Sequence, residues 1–348
     1  MKPRVYLDWN ATTPLRAEAR EAMIAAMVVV GNPSSVHAEG RKAKGLVEIA
    51  REQVASALGA DGADVIFTSG ATEAAALAFS GRGLAGAAIE HEAVSSWVTE
   101  DLPVSKDGLA SVSDPANTVL QLANSETGVV QELPNGLAGS DVTQAFGKIP
   151  FAFNWLGCEA VIVSAHKLCG PKGVGALVVK RGTDVAAQLK GGGQEMGRRA
   201  GTENILGIVG FGAAAQAAAL DLANGVYEEV AEKRDFLEMR IADTALDTIF
   251  PGKDAKRLPN TSCIMTEGWK GETQVMQMDL AGYAISAGSA CSSGKVRASR
   301  VLKAYGYSDL EAASAIRVSI GPETTKDELA GFADAWLAQR KKHRDRAA

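Results

Sequence analysis

A chain of 348 residues, 46% apolar and 22% charged, has the make-up of an ordinary globular protein and a length suited to about two domains. Its 36 Lys and Arg against 41 Asp and Glu give a formal charge of −5, which argues against a nucleic-acid binder, since that needs a concentrated basic face. Four cysteines (Cys158, Cys169, Cys263, Cys291) fit a reducing, cytoplasmic compartment rather than a disulfide framework; none are spaced as zinc ligands, the four histidines are scattered, and no metal centre is expected.

The start, MKPRVYLDWNATT, lacks the continuous apolar stretch of a signal peptide. Glu39 to Leu58 carries Leu46, Ala50, Val54 and Leu58 at a four-residue stride, which predicts a helix that Gly59 stops. Asp64 to Thr68 reads as a strand, and the following SGATEAAALAF as the start of a helix. Gly81-Arg82-Gly83-Leu84-Ala85-Gly86 spells a dinucleotide-binding pattern, but it follows a helix rather than a strand and reads as a surface turn. Buried strands are expected at Thr118 to Leu122, Ala160 to Ser164 and Val174 to Lys180, interleaved with helices as parallel βαβ units covered on both faces. Ile205 to Leu220 is uncharged but made mainly of Ala and Gly, too short and weakly apolar to span a membrane, and reads as a buried helix. A charged helical stretch runs from Asp221 to Leu246. Beyond Pro251 a second, smaller domain is expected, ending in an amphipathic helix whose basic tip is solvated.

Four segments carry chemistry. In Thr68-Ser69-Gly70-Ala71-Thr72-Glu73 a strand gives way through glycine to a helix start, which suits a phosphate as well as ordinary capping. Asp141 and Gln144 precede Ser164-Ala165-His166-Lys167, the end of an apolar strand, where open α/β sheets place ligands. A lysine there would be partly desolvated and more nucleophilic, and a carboxylate on a neighbouring strand end could face a ring nitrogen. With His91 and the phosphate turn, these are the parts of a pyridoxal phosphate site. Each also has an ordinary structural role open to it. The run from Gly191 to Asn204 is rich in Gly and Arg and suits an anion-binding loop or a flexible surface. Cys291, set among Ser, Ala and Gly with Lys295 behind it, reads as an exposed and reactive thiol.

In order, YLDWNATTP, GNPSSVHAEGR, FTSGATE, EHEAV, NSETG, DVTQAFGKIP, SAHKLCGPKGVGAL, GGGQEMGRRAGTEN, SAGSACSS and IRVSIG cover residues 5 to about 328 and closely resemble the pyridoxal-phosphate-dependent cysteine desulfurases of the aminotransferase class V family. The resemblance implies the aspartate-aminotransferase type of α/β fold (fold type I): a large domain over residues 16–248 with a mixed or parallel seven-stranded sheet, a smaller α+β domain from 1–15 and 249–348, and a homodimer. It implies that Lys167 bonds the cofactor covalently, Asp141 pairs with its ring nitrogen, Gln144 with its phenolic oxygen, and His91 stacks on the ring and moves protons. Ala71, Thr72, Ser164 and His166 would hold the phosphate, with Thr202 reaching it from the partner subunit. Arg317 would clamp the carboxylate of L-cysteine, and Cys291 would take the sulfur as a persulfide for an acceptor protein, such as an iron–sulfur scaffold docking at the Cys291 loop. Asn124-Ser125 departs from the family's two consecutive asparagines, so a cofactor or substrate contact is weakened, replaced by Ser125 or moved to Asn124. The region between Gly128 and Asp141 is shorter than in most relatives. A selenocysteine lyase or an aminotransferase is the enzymatic alternative, and a non-catalytic scaffold the other. Cys291 argues against the aminotransferase, and the intact set of Lys167, Asp141, Gln144 and Cys291 against the scaffold.

Overall fold

The structure, a computed structural model, describes residues 4–288 and 298–347. Ala160–Ser164 (AVIVS) and Gly175–Val179 (GALVV) are apolar but for Ser164 at the end of the first, and buried along their whole length, as strands covered on both faces must be. They form the middle of a four-stranded sheet ordered Asp64–Thr68, Gly175–Val179, Ala160–Ser164, Ser140–Asp141. A parallel pair, Leu84–Ala87 with Val98–Leu102, lies beyond it. The segment expected as the strand Thr118 to Leu122 joins the two sets through bridges, Thr118 to Ala85 and Val119 to Gly139, rather than through a regular ladder. Seven chain segments thus lie side by side. The sheet is mixed, as the resemblance allowed, and the reading of these strands as parallel βαβ units holds only in part: Gly175–Val179 runs antiparallel to both neighbours. The connection 165–174 contains only a 3₁₀ turn, too short for the crossover that parallel strands require.

The helix Ala38–Ala57 buries Ala43, Val47, Ala50 and Val54. It packs against Ile205–Ala223, which is long and apolar enough to cross a membrane but here lies on Ala38–Ala57 and Ala17–Ala26. Its small residues let the backbones approach; a Cβ on Gly212 would fall 2.8 Å from the Ala50 Cα. A second core gathers Leu7, Trp269, Ile316, Phe332 and Trp336 around the antiparallel sheet Ser286–Ala287, Ala315–Ser319, Thr261–Met265, and Val230, Leu237 and Ile241 of the helix Val226–Ala242 join it. The N-terminal segment connects the two cores. Val5–Tyr6 pairs with Tyr283–Ala284 and Asp8 bridges to Ser319, after which Thr13 N–H donates to His166 O at 3.0 Å. Residues 8–13 are thereby laid across the ends of the central strands.

Candidate functional site

A cavity of about 680 Å³ opens where these strand ends meet residues 10–12 and the second sheet. The strand Ala160–Ser164 ends in the turn Ala165–Lys167, which carries the half-buried Lys167 into the cavity wall. Its Nζ donates to Asn10 O at 2.6 Å and Ala11 O at 2.8 Å. On the neighbouring strand end Asp141 is buried, one carboxylate oxygen accepting Thr143 N–H at 2.9 Å. Gln144 Nε2 donates to Asn10 O at 3.0 Å. His166 meets Thr12 Oγ1 through Nδ1 at 3.1 Å. Burial, and then Lys167, Lys172 and Lys148, pull its pKa down to about 4, so the ring is neutral at pH 7. His91, exposed at the cavity mouth, accepts Ala93 N–H on Nδ1 at 3.1 Å as cap of a short helix.

The phosphate turn is built by close approach. A Cβ on Gly175 would lie 2.8 Å from the Gly70 Cα, so only glycine lets the turn settle on the adjoining strand. The helix Ala71–Phe79 starts there, and its first-turn amides at Ala71 and Thr72 have no acceptor within the helix. Both residues line the cavity, with Ser164 and His166. Glu73 folds back to accept Ser69 N–H at 2.8 Å and pairs with Arg199 at 2.7 Å.

Opposite stands Arg317, buried on Ala315–Ser319. Its Nη2 pairs with Asp8 Oδ1 at 2.8 Å and its Nη1 donates to Ser125 O at 3.1 Å. Nε is buried with no hydrogen-bond partner among the described residues. Asp8 is in turn held by Ser286 Oγ at 2.8 Å. A cavity with a lysine amine, a buried carboxylate, an amide, a helix start and an arginine in want of an acceptor fits a phosphorylated pyridine aldehyde and an amino acid. Among the described residues no group of three or more His, Cys, Asp or Glu gathers to hold a metal ion.

The structure does not bring all expected residues here. Asn124 is buried elsewhere: Nδ2 donates to Ile89 O at 3.1 Å, and Oδ1 accepts the amides of Glu126 at 2.9 Å and Thr127 at 3.0 Å. Ser125, not Asn124, lines the cavity. Thr202 is exposed and does not line the cavity of its own chain. Cys291 lies outside the described residues, but its flanks are described. A Cβ on Gly288 would sit 3.0 Å from Glu126 Oε2 and 3.2 Å from Ser299 Cβ, and Ser299 Oγ donates to that same Glu126 oxygen at 2.5 Å. Burial pushes the Cys158 thiol up to about 12 and raises those of Cys263 and Cys169.

Sequence reasoning missed Asn10, although it lies within the quoted WNATT. Its carbonyl accepts from both Gln144 and Lys167, its Oδ1 from Lys148 and Asn260, and its Nδ2 donates to Ser125 O and Thr261 Oγ1. Lys148 was also passed over, four residues after Gln144 in DVTQAFGKIP.

The aminotransferase class-V family model matches residues 5–96 and 114–332. A protein of Dictyoglomus turgidum named cysteine desulfurase IscS is 36% identical, the match covering 94% of this chain and 92% of that protein. A cysteine desulfurase of a Frankia species is 38% identical over 95% of this chain and 90% of its own. Among solved structures, a NifS-like protein from Rickettsia africae superposes with a TM-score of 0.86 at 28% identity, covering 97% of this chain and 99% of that one. A structure of SspA in complex with cysteine has a TM-score of 0.76 at 28% identity, covering 92% of this chain and 100% of that one.

Proposed function

The chain belongs to the aminotransferase class-V family, among its cysteine desulfurases, and on that premise we propose that the Lys167 cavity binds pyridoxal phosphate and takes sulfur from L-cysteine. The observation that carries this reading is the convergence of Lys167, Asp141, Gln144 and Arg317 on one cavity. Lys167 would hold the cofactor covalently, Asp141 its ring nitrogen and Gln144 its phenolic oxygen. The amides of Ala71 and Thr72, with Ser164 and His166, would hold its phosphate. When bound, the cofactor supplies an electron sink for the bonds around the amino acid's α-carbon.

The chain's own groups account for the remainder. Arg317, fixed by Asp8 and lining the cavity, would pair its guanidinium with the substrate carboxylate. Its Asp8 partner cancels part of its charge, which keeps the grip reversible. Lys167 Nζ and His91 Nε2 are the bases within the cavity lining placed to carry protons to and from the substrate. His166, neutral at pH 7, can donate to or accept from a phosphate oxygen without adding charge. Cys291 takes the sulfur: L-cysteine and the enzyme thiol become L-alanine and an enzyme persulfide, with every atom retained. Of the four cysteines it stands in the polar, glycine-flanked setting, whereas burial keeps the thiols of Cys158 and Cys263 protonated.

The persulfide would feed an acceptor protein of iron–sulfur or thio-cofactor assembly, docking at the Cys291 loop, in the cytoplasm. The domain division is proposed as 16–248 against 1–15 with 249–348. A homodimer is proposed as well, because Val28, Val30 and Val36 expose 81%, 81% and 88% of their surface in one short segment, which suits cover by a second copy. The test is sulfide and alanine production from L-cysteine by purified protein with added cofactor and a thiol reductant. Equal amounts of both products, abolished by Cys291→Ser while the bound cofactor's colour is kept, support the reading. No alanine, or sulfide release unaffected by Cys291→Ser, overturns it.

A further inference from the structure

Behind the cavity lies a lysine that the reaction as described does not use. Lys148 is 2% exposed, among the largest fully buried side chains of the protein. No carboxylate is among its described partners; Nζ donates to Gln144 Oε1 at 2.7 Å and to Asn10 Oδ1 at 3.3 Å. A lone buried lysine is costly, since taking an ammonium out of water without a counter-charge disfavours its charged form. Here burial, with Lys167 and Arg317 pushing the same way, lowers its pKa to about 7. A methionine of the same reach would fill this place without that cost, so filling space does not account for the amine.

The partners do. An amide side chain can face either way, and its neighbours decide. As an ammonium Lys148 is donor only, and it donates to Gln144 Oε1, whereas the Asn10 carbonyl is acceptor only. Lys148 therefore takes the Gln144 oxygen, the Gln144 nitrogen goes to Asn10 O, and one hydrogen of that nitrogen is left over. Gln144 lines the cavity; Lys148 does not. The same Asn10 carbonyl receives Lys167 at 2.6 Å, so the orientation of Gln144 and the seat of Lys167 share one acceptor.

We propose that Lys148 is a positioning residue: it fixes and polarises the Gln144 amide so that its N–H, not its carbonyl, faces the cofactor's phenolic oxygen. The inference rests on the reading of the cavity as a pyridoxal phosphate site. Without Lys148, Gln144 Oε1 is buried with no donor, and the amide gains by turning its oxygen elsewhere. A weaker donor at the phenolic oxygen leaves more negative charge there, which favours the protonated form of the lysine-bound cofactor.

The experiment is a pH titration of the visible absorption band of cofactor-loaded protein, for wild type, Lys148→Met, Lys148→Gln, Gln144→Ala and the Lys148→Met/Gln144→Ala double variant. Cofactor-free melting temperatures are read alongside. The expected result has five parts. Lys148→Met moves the titration midpoint upward by about half to one pH unit, as for loss of one hydrogen bond. It releases the cofactor about threefold to tenfold faster. Lys148→Gln, which keeps a donor, recovers most of the shift, and Lys148→Met adds nothing once Gln144 is alanine. Cofactor-free Lys148→Met melts no lower than wild type. An unshifted midpoint overturns the proposal, as does a shift that persists in the Gln144→Ala background. A Lys148→Met protein that fails to fold assigns the residue to the fold and overturns it too. If wild type develops no visible band with pyridoxal phosphate, it is the cofactor reading that has failed.

Discussion

The two ends of the cavity are made in opposite ways. Around Lys167, Asp141 and Gln144 the wall is a closed set of hydrogen bonds, Lys148 to Gln144 to Asn10 and Asn10 to Lys167, most of it buried. At the Ser69–Thr72 turn the wall consists of backbone amides and the exposed side chains of Ser69 and Thr72, and the glycine-rich loop beyond it carries an exposed Thr202 and a Met196 that is 63% exposed. That loop is tied down from beneath, by Arg51 on Glu195 at 2.7 Å and Arg199 on Glu73 at 2.7 Å. The first end is finished within one chain. The second is the more exposed of the two. Preorganisation is greatest where electron flow would be tuned, and least where a charged phosphate needs only donors.

The comparison is broken most severely at Lys167. Lys167→Ala is expected to abolish covalent cofactor attachment and to lower sulfide release by about 10³-fold or more, the scale of losing a positioned acid–base group and more. Borohydride reduction of wild type followed by peptide mapping places the cofactor on Lys167; attachment at Lys148 or Lys172 defeats the assignment. Arg317→Ala comes next. It is expected to raise KM for cysteine by about tenfold to a hundredfold with a smaller change in kcat, as for a lost charge-assisted contact. A change in kcat alone would remove Arg317 from the carboxylate.

The loop at the open end can be loosened from below. Glu195 has a 2% exposed side chain and, besides Arg51, accepts Phe67 N–H at 3.0 Å. Arg51→Met leaves that carboxylate buried without its cation, and a loss of about 3 kcal/mol in unfolding free energy is expected. Urea titration of the cofactor-free protein measures it, and a loss under about 1 kcal/mol would show the pair to be a surface ornament. At the closed end the sign reverses. The pKa of Lys148 falls from 10.5 to about 7 on folding, so between those values the unfolded state binds more protons and stability rises with pH. Below pH 7 the penalty is constant. The stability advantage of Lys148→Met, on the order of a few kcal/mol at pH 7, is expected to shrink as pH climbs toward 10, and a flat difference would mean that Lys148 stays charged when buried, its pKa not lowered by folding.

The closed end was also the legible one. Lys167, Asp141 and Gln144 stand in motifs whose residue types announce their chemistry, and the strands Asp64–Thr68 and Ala160–Ser164 were readable to the residue because runs of buried apolar residues have no other use. The helix Ala38–Ala57 followed from its four-residue stride. Pairing direction was not legible: nothing in GALVV says that its neighbours run the other way, since buried parallel and antiparallel strands share one composition. Nor was Asn10, whose importance lies in partners more than 100 residues away, Ser125, Gln144, Lys167 and Thr261 among them. Nor was the burial of Lys148 legible, because a lysine in sequence carries no trace of the surroundings that enclose it. Asn124 misled for the opposite reason: its residue type suits a ligand contact, but an asparagine side chain serves equally well to fold a turn, which is what its Oδ1 does with Glu126 and Thr127.

The smallest effect tests whether the open end is finished by another chain. Thr202 lies in a loop pinned through Glu195 and Arg199, yet it is exposed and absent from its own chain's cavity lining. One hydroxyl donated to a phosphate contributes about 1 kcal/mol net, so Thr202→Val is expected to weaken cofactor retention only about fivefold and to leave the fold intact. The informative measurement is therefore made on mixtures. If the phosphate of one site is reached by Thr202 of another subunit, a protein carrying Lys167→Ala mixed with one carrying Thr202→Val reassorts into hybrids. In these the remaining Lys167 site faces an unaltered Thr202. In an equimolar mixture about half of the Lys167 sites lie in such hybrids and should hold cofactor as tightly as wild type, the other half as weakly as Thr202→Val. If instead retention in the mixture equals that of Thr202→Val alone, Thr202 acts within its own chain or not at all. Sedimentation at decreasing concentration supplies the control, since the weaker retention should set in for wild type as well once the dimer dissociates. A monomer that keeps its cofactor as firmly as the dimer would make the open end complete as it stands.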